Sequence, residues 1–159
     1  MSELERFYAR QSRLIDDGNA VGWAATFTAD GVFDSPSYPR PARGTDELVA
    51  FARGFHDSCV EQATRLRHVV TNVDVVGYDA TADPAPDLAP DQIADEVEVR
   101  AYLQIVATPA GQDSRLVRLT TITDRLVRRA DGAPGWQVAH RAVRRDDVAP
   151  EPVREGAPA

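Results

Sequence analysis

A chain of 159 residues is long enough to bury one sizeable core, and 43% hydrophobic with 27% charged residues is an ordinary globular composition. A formal net charge of -7 and a pI of about 4.9 remove the electrostatic footprint that nucleic acid requires, so no nucleic-acid partner is expected. All 18 basic residues are arginine and Cys59 is the only cysteine. Schiff-base and P-loop lysine chemistry, an internal disulfide and a cysteine-based zinc site are thereby excluded.

No apolar run approaches the roughly 20 residues that span a bilayer, so no membrane partner is expected. The first residues, Met1-Ser2-Glu3-Leu4-Glu5-Arg6, lack the basic flank and apolar centre of a signal peptide, which makes a cytoplasmic location the expectation. Ser2-Glu3-Leu4-Glu5 reads as a capping box, and Leu4, Phe7, Tyr8, Gln11, Leu14 and Ile15 keep helical spacing up to Gly18. Asn19 can cap a second helix with Ala20, Trp23, Ala24 and Phe27 on one face, ending near the turn dipeptide Asp30-Gly31. Val32-Phe33-Asp34 is a short extended piece, and three prolines make Ser35 to Pro41 a loop. Thr45 is placed to cap a third helix whose buried stripe is Leu48, Phe51, Ala52, Phe55 and Cys59, ending around Gln62.

From His68 onward the period changes to two. In Arg65 to Val76, strict alternation puts His68, Val70, Asn72 and Asp74 on one face, which can look into a wet pocket or meet solvent. Residues 79–95 are too proline-rich and acidic for regular structure and read as a long hairpin loop. Glu96 to Thr108, Arg115 to Arg129 and Trp136 to Arg145 read as three further strands, and 148–159 as a disordered tail. Three helices followed by long antiparallel strands predict a single α+β domain over 1–147: N-terminal helices packed on a curved, mainly antiparallel sheet, with a ligand-sized cone between the layers.

Phe27-Thr28-Ala29-Asp30-Gly31-Val32-Phe33, Arg67-His68-Val69-Val70-Thr71-Asn72 and Gly135-Trp136-Gln137-Val138-Ala139-His140-Arg141, set behind the helical pair, resemble the nuclear transport factor 2-like superfamily. More narrowly they resemble its SnoaL-like branch of small polyketide cyclases, dehydratases and isomerases, over about residues 4 to 147. The resemblance implies a cone-shaped α+β barrel, often a homodimer through the sheet. It also implies acid/base chemistry on a hydrophobic small molecule, without metal or organic cofactor. In the scytalone dehydratase branch a histidine on the first long strand works within a network of aspartate, tyrosine and water; by position it matches His68, and the aspartate ending the first helix matches Asp16. Asp34 stands where that template has a tyrosine, and its second pocket histidine has no counterpart between Glu96 and Thr108.

The candidate catalytic set is therefore His68 as base, Asp16 as its orienting partner and Asp34 as acid, with Asn72 on the oxyanion side. A histidine ordinarily titrates near neutrality, and a carboxylate in an apolar cone is a plausible proton donor. Tyr8, Tyr38, Tyr102 and Trp23 are the candidate substrate walls, flat and apolar with polar tips. His56, His68 and His140 are too scattered for metal-ligand spacing, so no metal is expected. A non-catalytic ligand-binding or partner-subunit module of the same fold is the alternative. Epoxide hydrolysis by paired carboxylates would further require Arg141 or Arg100 between two acids in the cone.

Overall fold

The computed structural model describes residues 2–76 and 95–147. The expected hairpin loop, Asp95 apart, and the expected tail lie outside the described residues. In chain order the elements are α1 (Glu3–Asp16), α2 (Ala20–Ala24), β1 (Phe27–Asp34), β2 (Ala42–Arg43), α3 (Gly44–Glu61), β3 (Thr64–Val75), β4 (Glu96–Pro109), β5 (Arg115–Arg128) and β6 (Trp136–Arg145). One six-stranded sheet has the order β2-β1-β6-β5-β4-β3, with β1 parallel to β6 and every other pair antiparallel. Three helices and a curved sheet make up the expected α+β architecture.

The capping box forms as the sequence predicts: Glu5 N–H donates to the Ser2 hydroxyl, and Ser2 N–H donates to the Glu5 carboxylate at 2.7 Å. Leu4, Tyr8, Gln11 and Ile15 then form one buried stripe down α1. Asn19 caps α2 by accepting Gly22 N–H at 2.8 Å, but α2 is far shorter than its periodicity predicts. The chain leaves the helix at Ala25 because a β partner captures it. Phe27 lies beside Val138 of β6, and the Gln137 amide donates to Phe27 O at 2.9 Å. Asp30-Gly31 is consequently part of β1 rather than a helix terminus. Residues 28–31 stand against Ala139 alone, and a Cβ on Gly31 would meet Phe27 Cβ at 2.8 Å and Val138 O at 3.0 Å. The third helix also starts differently, two residues earlier than a Thr45 cap implies, at Gly44. Its cap position is Arg43, whose N–H donates to the Glu47 carboxylate at 2.9 Å, so Thr45 is not the cap.

Irregularities in pairing decide which side chains face the helices. In β3 an extra residue enters at Asn72, which adopts a φ of 53°, a left-handed conformation that asparagine tolerates better than most residues. The bulge reverses the alternation, so Val73 and Val75 pack on the core while Asn72 and Asp74 are exposed. Opposite Ile105 and Val106, β5 carries Val117 as an extra residue. In β6 Ala139 is extra, so Trp136 and Val138 face inward before it and Arg141 after it. Strict alternation had set Arg141 on the opposite face from Trp136 and Val138; the bulge brings all three to the same side.

Under the helices the sheet buries an ion pair. Asp124 is fully buried and receives both Arg141 Nε at 2.7 Å and Nη2 at 2.6 Å, while the Tyr8 hydroxyl donates to the same carboxylate at 2.8 Å. Burial and the Asp124 charge push the Tyr8 phenol far above its usual range, which keeps it a donor. Burial opposes the Arg141 charge, but Asp124 and Tyr8 outweigh that effect and hold it as a cation. Removing one partner of a buried pair strands the other. Asp124→Ala should therefore cost about 3–5 kcal/mol in urea unfolding; a loss below about 1 kcal/mol would mean that Arg141 finds other compensation.

Candidate functional site

Between the helices and the inner face of the sheet lies a cavity of about 520 Å³, within the range typical of small-molecule sites. Trp23, Phe33 and Phe51 form its aromatic wall, with ring centroids of Trp23 and Phe51 5.6 Å apart and of Phe33 and Phe51 4.7 Å apart. Tyr38 extends that wall 4.9 Å from Phe51. The sheet side contributes Leu66, His68, Val70, Leu103, Ile105 and Ile122.

His68 is held from two directions. Because β3 is an edge strand, the His68 backbone N–H has no ladder partner on its outer side; it donates to both Asp16 oxygens at 3.2 Å. The ring completes the clamp, with Nδ1 2.7 Å from Asp16 Oδ1. A carboxylate accepts, so the Nδ1 proton points at Asp16 and Nε2 is left as the ring's other, acceptor-capable nitrogen. The Asp16 side chain is 5% exposed and that of His68 15% exposed, which places the pair out of bulk water while His68 still reaches the cavity. Arg67 Nη1 lies 3.7 Å from Asp16 and 3.4 Å from Asp17, adding positive charge on the solvent side. The Phe55 ring, centroid 5.3 Å from that of His68, closes the remaining flank.

Of the residues that the sequence singles out, His68, Trp23 and Tyr38 line this cavity, and Asp16 stands directly behind His68. Four others are located elsewhere. Asp34 is exposed on β1, although its neighbours Phe33 and Ser35 line the cavity; its strand phase turns it away. Asn72 is turned out by the β3 bulge. Tyr8 lies beneath the cavity, committed to Asp124. Tyr102 is 50% exposed on the outer face of the sheet. Arg141 is not set between two acids as paired-acid epoxide hydrolysis would require: among the described residues its carboxylate partner is Asp124 alone, and Arg100 pairs with Glu98 at the surface.

Phe33, Gln11 and Arg118, which the sequence does not single out, also line the cavity, as does Arg141, named there only for the epoxide alternative. For Gln11 a signal existed, since a glutamine on an otherwise apolar helical stripe needs a polar partner, here the Thr26 hydroxyl at 2.7 Å. Cys59 also lines the cavity, and burial first, then the nearby Asp16 charge, push its thiol above the usual range. Only the thiolate alkylates. The pH midpoint of Cys59 alkylation by iodoacetamide should therefore lie above that of a free thiol, and Asp16→Asn should lower it; an unchanged midpoint would show that the Asp16 charge is not felt there.

A family model described as a SnoaL-like domain matches residues 1–142. A structure from Catenulispora acidiphila is 27% identical, covers 91% of this chain and 90% of its own, and superposes with a TM-score of 0.71. A second Catenulispora acidiphila structure, in complex with S-DNPA, is 26% identical over 91% of this chain and 92% of its own, with a TM-score of 0.70. ActVI-ORFA from Streptomyces coelicolor shares the fold at 24% identity, with coverages of 93% and 96% and a TM-score of 0.73. No curated protein matches the chain.

Proposed function

The chain belongs to the SnoaL-like domain family, and on that premise we propose that it is a cofactor-independent acid/base enzyme, a dehydratase, cyclase or isomerase, acting on a hydrophobic small molecule of the polyketide or related secondary-metabolite kind. The observation that carries this reading is the 2.7 Å contact of His68 Nδ1 with buried Asp16 at the wall of an aromatic-lined cavity. His68 Nε2 takes a proton from a carbon or hydroxyl near a carbonyl of the bound substrate and returns it to the rearranged product or, in a dehydration, to the departing hydroxyl, which leaves as water. Asp16 is the positioning residue: it fixes the tautomer and stabilises the imidazolium that forms in between. Apolar walls exclude water, which strengthens that electrostatic help.

The S-DNPA complex of the Catenulispora acidiphila relative supports treating this cavity as a ligand site. A structural histidine in a binding-only module would not need its Nδ1 tied to a buried carboxylate while its other edge is left to the cavity. Val69, Tyr102 and Leu119 share the outer face of the sheet and are all substantially exposed, which supports self-association through that face into a homodimer.

With the natural substrate class in hand, His68→Ala should lower kcat/KM by about 10² to 10⁴-fold while the chain still folds, as circular dichroism would show. Full retained turnover would overturn the assignment. Ligand binding by the wild type without any turnover would make the protein a binding module.

A further inference from the structure

The cavity's charge runs against that of the whole chain. The protein carries a net charge of -7, yet among the described residues no carboxylate lines the cavity, whereas Arg118 and Arg141 both do. Arg141 is neutralised by its bidentate pair with Asp124. Arg118 is different, since among the described residues it makes no ion pair. Its one hydrogen bond runs from Nη1 to the Ser37 hydroxyl at 2.8 Å. A serine hydroxyl that accepts from a guanidinium still has its own proton to donate. Arg118 and Ser37 together thus offer a guanidinium fork and an O–H donor at one point of the cavity wall, both half-buried.

The sheet register fixes where that point lies relative to His68. His68 pairs with Ile105, and Ile105 pairs with Arg118, so the three form one row across β3, β4 and β5 on the inner face. Two inter-strand spacings separate the backbones of His68 and Arg118 by about 10 Å. The apolar surface between them is Ile105, flanked by Leu103 and Val70.

We propose that the substrate class is an aromatic or polycyclic carboxylic acid, its carboxylate seated on Arg118 and the Ser37 hydroxyl and its ring system laid over Ile105 toward His68. This deepens the acid/base reading and rests on it for the reacting end. The planar fork of arginine matches a carboxylate in two-point geometry, and a half-buried cation that makes no direct ion pair among the described residues gains from an anionic ligand. The Val117 bulge and the proline-containing loop that holds Ser37 fix where the fork stands, so the seated acid group decides which end of the ring system meets His68.

The test is calorimetric titration of the full chain with 2-naphthoate and with its neutral methyl ester, at low and high salt. The wild type should bind the acid about ten-fold or more tightly than the ester, and high salt should shrink that ratio. Arg118→Gln should abolish the preference, Arg118→Lys should retain part of it, and Ser37→Ala, in a loop, should reduce it. Equal affinity for acid and ester, failure of the acid to bind, or a preference that survives Arg118→Gln would overturn the proposal. His68→Ala should leave the preference intact. Turnover retained in that variant would sink the acid/base reading and leave the carboxylate seat standing. A missing preference in an active wild type would do the reverse.

Discussion

The carboxylate of Asp16 is the interaction on which the rest of the site depends. It ends α1, where the helix dipole disfavours negative charge, and nothing in a helix alone would keep it there. Its position is offset by what it reaches: the unpaired backbone N–H of an edge strand, the imidazole of the same residue, and the guanidinium of Arg67. One side chain thereby covers an open sheet edge, anchors the end of α1 and selects a histidine tautomer.

The second anchor of α1 lies two turns earlier, where Tyr8 donates to Asp124 beneath β5 and β6. With Tyr8 tied to the interior strand β5 and Asp16 to the edge strand β3, α1 crosses the β5–β3 part of the inner face as a strut. Residues between the anchors, Gln11, Ser12 and Ile15, then line the cavity, with Gln11 tied in addition to the Thr26 hydroxyl. The cavity exists because the bulged sheet curves away from this strut and from α3, while Phe51 and Phe55 fill only the α3 side.

Much of this was legible in the sequence. The capping box, the buried stripe of α1 and the four long strands follow from spacing and patterning, and His68 and Asp16 follow from resemblance together with an oddly placed helix-terminal acid. What strict alternation could not supply was phase. A bulge at Asn72 turns Asn72 out and Val73 in; another at Ala139 turns Arg141 in beside Trp136 and Val138. One inserted residue reverses every later side chain on a strand, and no local signal marks Ala139 as the place. Helical periodicity likewise overran at Phe27, because parallel pairing with β6 is a long-range event that the local pattern does not contain. Nothing in the local sequence sets Arg118 apart from the other strand arginines; the register brings it onto the row of His68.

The central claim is that His68 presents Nε2 to the cavity because Asp16 holds the Nδ1 proton. With three histidines in the chain, a ¹⁵N-histidine spectrum separates the side chains directly. At a pH where the ring is neutral, the account predicts that His68 shows a protonated Nδ1 and an unprotonated Nε2, and that a bound cavity ligand shifts His68 while leaving His56 and His140 in place. A His68 ring protonated at Nε2, or one indifferent to the ligand, would contradict it.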